Sequence, residues 1–251
     1  MSAAASLQGR RVLVTRPAAQ AENLCRLLQA RGAEVRRLPL QSIEAVRQPA
    51  AAARQLREAH GARAWIFTSV NAVEFAAQLD AGPWPQSIAI GAATAVALEA
   101  RGQLPLLPED AFSSEGVLAL PLLQAVAGQR LLIVTGEKSR QLMAETLRAR
   151  GAQVELAAVY RRVALPHTPE RVRAALQDCD AVLLTSGEAL QQLLALCDEA
   201  ARALLCQARL VVPSQRVVEQ ARTLGCQGPL LLPEQVSDAA YLHCLEQALA
   251  S

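Results

Sequence analysis

Tyr160 and a series of short hydroxyl- and glycine-bearing turns are the residues best suited to chemistry in this chain. Tyr160 stands in Val159-Tyr160-Arg161-Arg162, and tyrosines are rare here, Tyr241 being the only other. A phenol facing a cleft can donate a proton to a leaving group. A tyrosine at such a crossing also commonly packs its ring and leaves the hydroxyl wet. The turns are Thr15-Arg16-Pro17, Thr68-Ser69-Val70-Asn71, Gly91 with Thr94, Thr135-Gly136, Thr185-Ser186-Gly187 and Pro213-Ser214. Each follows an apolar run and opens a helical stretch, so free backbone N–H groups and a Ser or Thr oxygen would share one edge of a parallel sheet. Such an edge can hold a polyanion without many lysines. Singly, each Ser or Thr reads equally well as an ordinary helix cap, and Asn71 as a support for its turn. The repetition along the chain is what points to a ligand. Arg16 and Arg140 could each pair with a ligand carboxylate, or remain solvated charges at helix starts.

Other chemistries find little support. Thr135-Gly136-Glu137-Lys138-Ser139 lacks the glycines of a phosphate loop, and neither G-x-G-x-x-G nor G-x-S-x-G occurs. Lys138 is the only lysine, a narrow basis for Schiff-base catalysis. The six cysteines form no C-x-x-C pair, and the three histidines show no zinc spacing, so no metal is expected. A net charge of +2 from 25 basic and 23 acidic residues is too balanced for a broad nucleic-acid-binding face. No uncharged apolar run reaches the roughly 20 residues of a membrane span. Met1–Gly9 does not read as a signal peptide, which points to the cytoplasm.

The elements that would position these turns alternate. Strand candidates are Arg11–Thr15, Glu34–Leu38, Ala64–Thr68, Ser87–Gly91, Leu104–Leu107, Arg130–Thr135, Gln153–Val159, Ala181–Thr185, Leu210–Val212 and Pro229–Leu232. They are short, continuous and apolar, as strands buried on both faces are. Between them lie amphipathic stretches such as the one carrying Leu24, Leu27 and Leu28, closed by Gly32, and the one carrying Leu142, Thr146 and Leu147, closed by Gly151. A hydrophobic fraction of 52% supports a large core, and 3% aromatics means that Ala, Leu and Val build it. Alternation of this kind argues an α/β architecture.

The chain also repeats. Arg31-Gly32-Ala33-Glu34-Val35 is answered by Arg150-Gly151-Ala152-Gln153-Val154, and Thr68-Ser69 by Thr185-Ser186. Two homologous units of five strands follow, with a ligand cleft between them. Whether the units are sequential halves, or the middle segment is inserted between two ends, the pattern leaves open.

Taken in order, Val12–Pro17, Phe67–Val73, Ile90–Ala95, Ser113-Ser114-Glu115-Gly116, Gly136–Arg140, Val159–Arg161, Thr185-Ser186 and Pro213-Ser214 resemble the uroporphyrinogen-III synthase family across nearly the whole chain. Two departures stand out: Ser214 replaces a threonine in the second glycine-threonine turn, and Gly136–Arg140 lacks a second glycine. The resemblance implies two flavodoxin-like α/β domains with parallel sheets, joined by a two-stranded antiparallel linker. It implies residues 1–37 plus 165–251 as a discontinuous domain, 44–156 as a second, and 38–43 with 157–164 as the linker ladder. It implies that hydroxymethylbilane is cyclised with loss of water and inversion of ring D, without a cofactor. Tyr160 matches the linker tyrosine proposed to help the hydroxyl depart, and Thr94 matches the family's turn threonine. Thr15, Arg16, Thr68, Ser69, Asn71, Gly91, Ser114, Gly136, Arg140, Thr185, Ser186, Pro213 and Ser214 would position the bilane. Transient contact with the bilane-forming enzyme is a further expectation. The rival reading is a non-catalytic two-domain binding protein for a polyanionic small molecule.

Overall fold

The structure is a computed structural model describing residues 6–108, 113–138 and 141–249. Arg140, one of the expected ligand contacts, lies outside the described residues. The chain divides into two compact units, residues 1–42 with 164–251, and residues 43–163.

The first unit contains β1 (Arg11–Val14), α1 (Ala18–Ala30) and β2 (Glu34–Arg37) from the start of the chain, and most of the remaining elements from its end. Between them run the elements of the second unit: β3 (Gln41–Ala45), α2 (Pro49–Glu58), β4 (Ala64–Phe67), α3 (Val70–Leu79), β5 (Gln86–Ala89), α4 (Ala92–Glu99), α5 (Ser114–Ala119), a short 3₁₀ turn at Pro121–Leu123, β6 (Arg130–Gly136), α6 (Leu142–Ala149) and β7 (Gln153–Ala164). The chain then completes the first unit with α7 (Pro169–Leu176), β8 (Ala181–Leu183), α8 (Gly187–Leu196), α9 (Glu199–Gln207), β9 (Arg209–Val211), α10 (Gln215–Thr223), β10 (Leu230–Leu231) and α11 (Asp238–Leu249).

The first sheet has the order β10-β9-β8-β1-β2, and every pairing is parallel. Parallel strands with helices on both faces must bury both faces, which is why Leu13 and Val182 pack into one apolar cluster and Val12 and Leu183 into another. Chain order reverses between β1 and β8, and ligands of open α/β sheets bind outside the carboxyl ends of strands at such a point.

The second sheet has the order β3-β7-β6-β4-β5, parallel from β7 through β5. Its reversal falls between β4 and β6. Trp65 and Phe67 of β4 are buried on one face and Ile66 on the other, each in its own cluster. Gly32 and Gly151, expected as helix C-caps, take φ of 87° and 84°, the left-handed conformation glycine adopts cheaply.

Two expected elements differ. The strand expected at Leu104–Leu107 is a single bridge from Leu106 to Ile88, because Pro105 and Pro108 flank it and supply no N–H. Gln41–Ala45 is a strand that overlaps the stretch 38–43 expected in the linker ladder and runs two residues beyond it. The strand candidate Gln153–Val159 and the expected ladder stretch 157–164 form one continuous strand to Ala164, so Tyr160 lies within it.

Candidate functional site

The carboxyl edge of the second sheet gathers most of the residues suited to chemistry. β4 ends at Phe67. Thr68 follows, and Ser69 is extended, at φ −172° and ψ 165°, before α3 begins. Its Oγ accepts the Ala72 N–H at 3.1 Å, an N-cap that fixes the hydroxyl at the helix's positive end. Thr68 Oγ1 lies 2.9 Å from Thr135 Oγ1 and 3.2 Å from the Val134 carbonyl oxygen, joining the two strands that flank the reversal.

Tyr160 reaches this edge through an irregularity. Thr135 of β6 pairs with Ala158 of β7, yet the next residue, Gly136, pairs with Tyr160, so β7 carries one extra residue there. Such a bulge re-aims a side chain, and it turns both Val159 and Tyr160 inward where strict alternation would bury only one. Tyr160 is 4% exposed. Its ring lies against Gly136 so closely that a Cβ there would sit 2.8 Å from ring carbon Cζ, which explains the glycine. The Ser69 hydroxyl donates to Tyr160 Oη at 3.3 Å, and the Phe75 ring centroid is 6.0 Å from that of Tyr160.

The phenol, Thr68, Ser69, Ser113, Ser114 and Thr135 line a cavity of about 420 Å³. Ser113 caps α5 by accepting the Gly116 N–H, and Ser114 is its first helical residue. Lys138 and Arg162 line the same cavity. Neither was among the expected ligand contacts, although Arg162 stands two residues beyond Tyr160 in one strand, where period two places side chains on the same face. Its guanidinium is 6.0 Å from the Tyr160 ring centroid. Of the other expected residues, Gly91 is the N-cap of α4 and Thr94 is buried in its first turn, while Asn71 is half-buried in the first turn of α3. None of the three is among the cavity's lining residues.

The first unit uses the same residue types differently. Thr15 Oγ1 is buried and donates to the Leu183 carbonyl at 2.7 Å. Arg16 is ion-paired with Asp238, which also accepts from Asn23 at 2.7 Å. The Arg16 guanidinium stacks 5.1 Å above the Tyr241 ring. Tyr241 is fully buried and donates to the Leu184 carbonyl at 3.2 Å. Burial pushes its phenol up, against the opposing pull of Arg16. Ser186 caps α8 by accepting the Ala189 N–H at 3.1 Å, with Thr185 half-buried beside it. Ser214 occupies the N-cap of α10 without a side-chain capping bond, after a half-buried Pro213. Among the described residues no group of three His, Cys, Asp or Glu is placed to hold a metal ion, and no helix is long and apolar enough to cross a membrane.

Comparison with known proteins follows the same lines. A family model described as "Uroporphyrinogen-III synthase HemD" matches residues 22–240. Uroporphyrinogen-III synthase of Escherichia coli K12 is 37% identical over 221 residues, spanning 84% of this chain and 90% of that protein. Its Salmonella typhimurium counterpart is 36% identical over the same shares. Among solved structures, a mutant uroporphyrinogen III synthase from the extremely thermophilic bacterium Thermus thermophilus aligns with a TM-score of 0.65 at 22% identity, over 96% of this chain and 99% of that one. The Helicobacter pylori uroporphyrinogen-III synthetase aligns with a TM-score of 0.58 at 15% identity, over the same shares. At those identities the structural likeness speaks for the fold.

Proposed function

The chain belongs to the uroporphyrinogen-III synthase family, and we propose that it converts hydroxymethylbilane to uroporphyrinogen III by a cyclising loss of water, the work of a cytoplasmic hydro-lyase. The observation that carries the proposal for the site is Tyr160, whose Oη stands 3.3 Å from a capping serine at the wall of an open cavity.

The reaction asks for modest acid chemistry and strict orientation. The terminal hydroxymethyl group leaves with help from the lone pair of its own pyrrole nitrogen. Tyr160 gives its proton to the departing oxygen, so water leaves and the ring remains as an electrophilic azafulvenium cation. The phenolate left behind would be costly in a buried setting. Ser69 is suited to lower that cost, because its O–H donates to Oη while its oxygen is polarised by the Ala72 N–H at the start of α3. Ring D then attacks through its substituted carbon, giving a spiro intermediate that opens and recloses with the ring inverted. The proton released as the pyrroles regain aromaticity restores Tyr160. Unassisted closure gives the unrearranged isomer, so the protein's larger contribution is holding reacting atoms in register. Thr68, Ser69, Ser114 and Gly136 would position the bilane at this edge, with Gly91 and Thr94 at the neighbouring helix start. Passing contact with the bilane-forming enzyme would spare the labile substrate from closing in solution.

The test is to generate hydroxymethylbilane in situ, add the protein, oxidise the products and separate the type I and type III isomers. Type III in excess is the expected result. Type I alone, with folded protein, overturns the reading.

A further inference from the structure

The cavity beside Tyr160 carries positive charge that proton transfer does not use. Lys138 lies two residues beyond Gly136 at the end of β6, and Arg162 lies two beyond Tyr160 in β7. Both side chains line the cavity and both residues are exposed. Neither has an acidic partner among the described residues, whereas the neighbouring Arg161 is held by Glu44 at 2.6 Å and Arg130 by Glu155 at 2.9 Å. Glu115, the acid of the lining, already makes an interaction of its own. Two cations without a salt bridge among the described residues draw anions to a concave wall, and the hydroxyls of Thr68 and Ser69 add uncharged polar groups beside them.

Size narrows the ligand. At about 420 Å³ the cavity falls at the small end of the roughly 300–1,000 Å³ of small-molecule sites, room for one substituted ring rather than four. Resting on the proposed function, we infer that this cavity is the subsite for the hydroxymethyl-bearing terminal pyrrole, with Lys138 and Arg162 taking its acetate and propionate carboxylates. The two cations belong to adjacent parallel strands, each two residues beyond the Gly136–Tyr160 pairing on its carboxyl side. A ring gripped there by both acids shares the cavity with the phenol of Tyr160. Selectivity for a ring with two neighbouring acid chains follows from two separate cations. So does sensitivity to salt, because both are exposed.

The test is equilibrium titration of the full chain with a monopyrrole that carries adjacent acetate and propionate chains and a methyl group in place of the hydroxymethyl. Saturable binding is expected, weakened about tenfold by Lys138→Gln and again by Arg162→Gln, as loss of a charge-assisted contact implies. The dimethyl ester should bind no better to the wild type than the free acid does to the double variant. Arg162→Lys should recover part of the loss, and Arg47→Gln, at a separate cavity, should change nothing. Absence of monopyrrole binding, or equal binding by the wild type and a double variant with an unchanged melting temperature, overturns the subsite. The titration involves no turnover, so the two readings fail separately. Type III formation with charge-insensitive monopyrrole binding sinks the subsite alone. Charge-dependent monopyrrole binding with only type I product sinks the enzyme reading and leaves a site for acidic pyrroles.

Discussion

The two units each reverse strand order at one place, and they treat that place in opposite ways. In the first unit the reversal between β1 and β8 is occupied: Thr15 donates across it, and α11 brings Tyr241 and Asp238 onto Arg16 and the Leu184 carbonyl. In the second unit the reversal between β4 and β6 stays open as a cavity, and the phenol comes from the sheet itself through the bulge in β7. A hydroxyl or a cation at a strand end is therefore not a ligand contact by residue type. It becomes available for one only where no other element has already engaged it.

The sharpest way to break the comparison is steric. Gly136→Ala puts a methyl 2.8 Å from the Tyr160 ring, which is enclosed and must move. A displacement of about 1 Å can cost on the order of 100-fold in rate, and that loss of type III formation is the expected result. In the first unit, Gly187→Ala meets the far end of the Gln220 side chain, which can swing aside at the loss of its bond to the Gly187 carbonyl, and should leave turnover nearly unchanged. Similar rates for the two variants would remove the distinction between the edges.

The two tyrosines give the next contrast. Tyr160→Phe should lower turnover roughly tenfold or more with little change in melting temperature, because removing a general acid acts on the reaction rather than the fold. Tyr241→Phe should do the reverse, costing about 1 kcal/mol of stability through the lost bond to Leu184 and leaving kcat intact. An unchanged rate for Tyr160→Phe would remove the acid role.

A smaller effect separates the two capping serines. Ser69 and Ser186 accept from Ala72 and Ala189 at the same 3.1 Å, so either alanine variant should lose about 1 kcal/mol of stability. Only Ser69→Ala should also lower kcat several-fold, at unchanged KM, with Ser69→Thr restoring it. Equal kinetics for Ser69→Ala and Ser186→Ala would mean that Ser69 is a cap and nothing more.

Much of the frame was legible in the sequence for a physical reason. Strands buried on both faces must be continuous apolar runs, and their ends must carry small or capping residues, so the positions of β1, β4, β6 and β8 could be read directly. What escaped depends on pairing between distant residues. Asp238 neutralises Arg16 across 222 positions, and no local pattern at either end announces it. The bulge that aims Tyr160 is a mismatch between two strands, not a property of either. Lys138 and Arg162 looked like ordinary surface charges, because what distinguishes them is that neither is salt-bridged to an acid among the described residues. Among the strand-end hydroxyls, Thr15 and Thr68 are alike in sequence, and only the packing around each tells a buried tie from a cavity wall.

The subtlest difference between the units lies in their titration. All six cysteines belong to the first unit and both tryptophans to the second. Burial raises the thiols of Cys25, Cys179 and Cys244, and takes Cys197 up to about 11 and Cys226 up to about 12, Cys226 being held further by Cys206 at 3.8 Å. The ordinary value is 9.0, so an unfolded first unit gives up its thiol protons before the folded one does. The folded state then binds more protons, and its stability falls as pH rises. This contribution is fully present below pH 9 and is lost on the way to 11–12. The second unit has no cysteine and lacks it. Urea midpoints at about pH 7.5 and 10, either side of the ordinary thiol value, can follow the first unit by thiol exposure and the second by tryptophan fluorescence. The thiol midpoint should drop at the alkaline pH further than the fluorescence midpoint. Equal shifts would mean either that the units unfold together or that the alkaline loss comes from groups other than these thiols. A Cys197→Ser, Cys226→Ala variant separates the two, because it should flatten the pH dependence only if the thiols are its source.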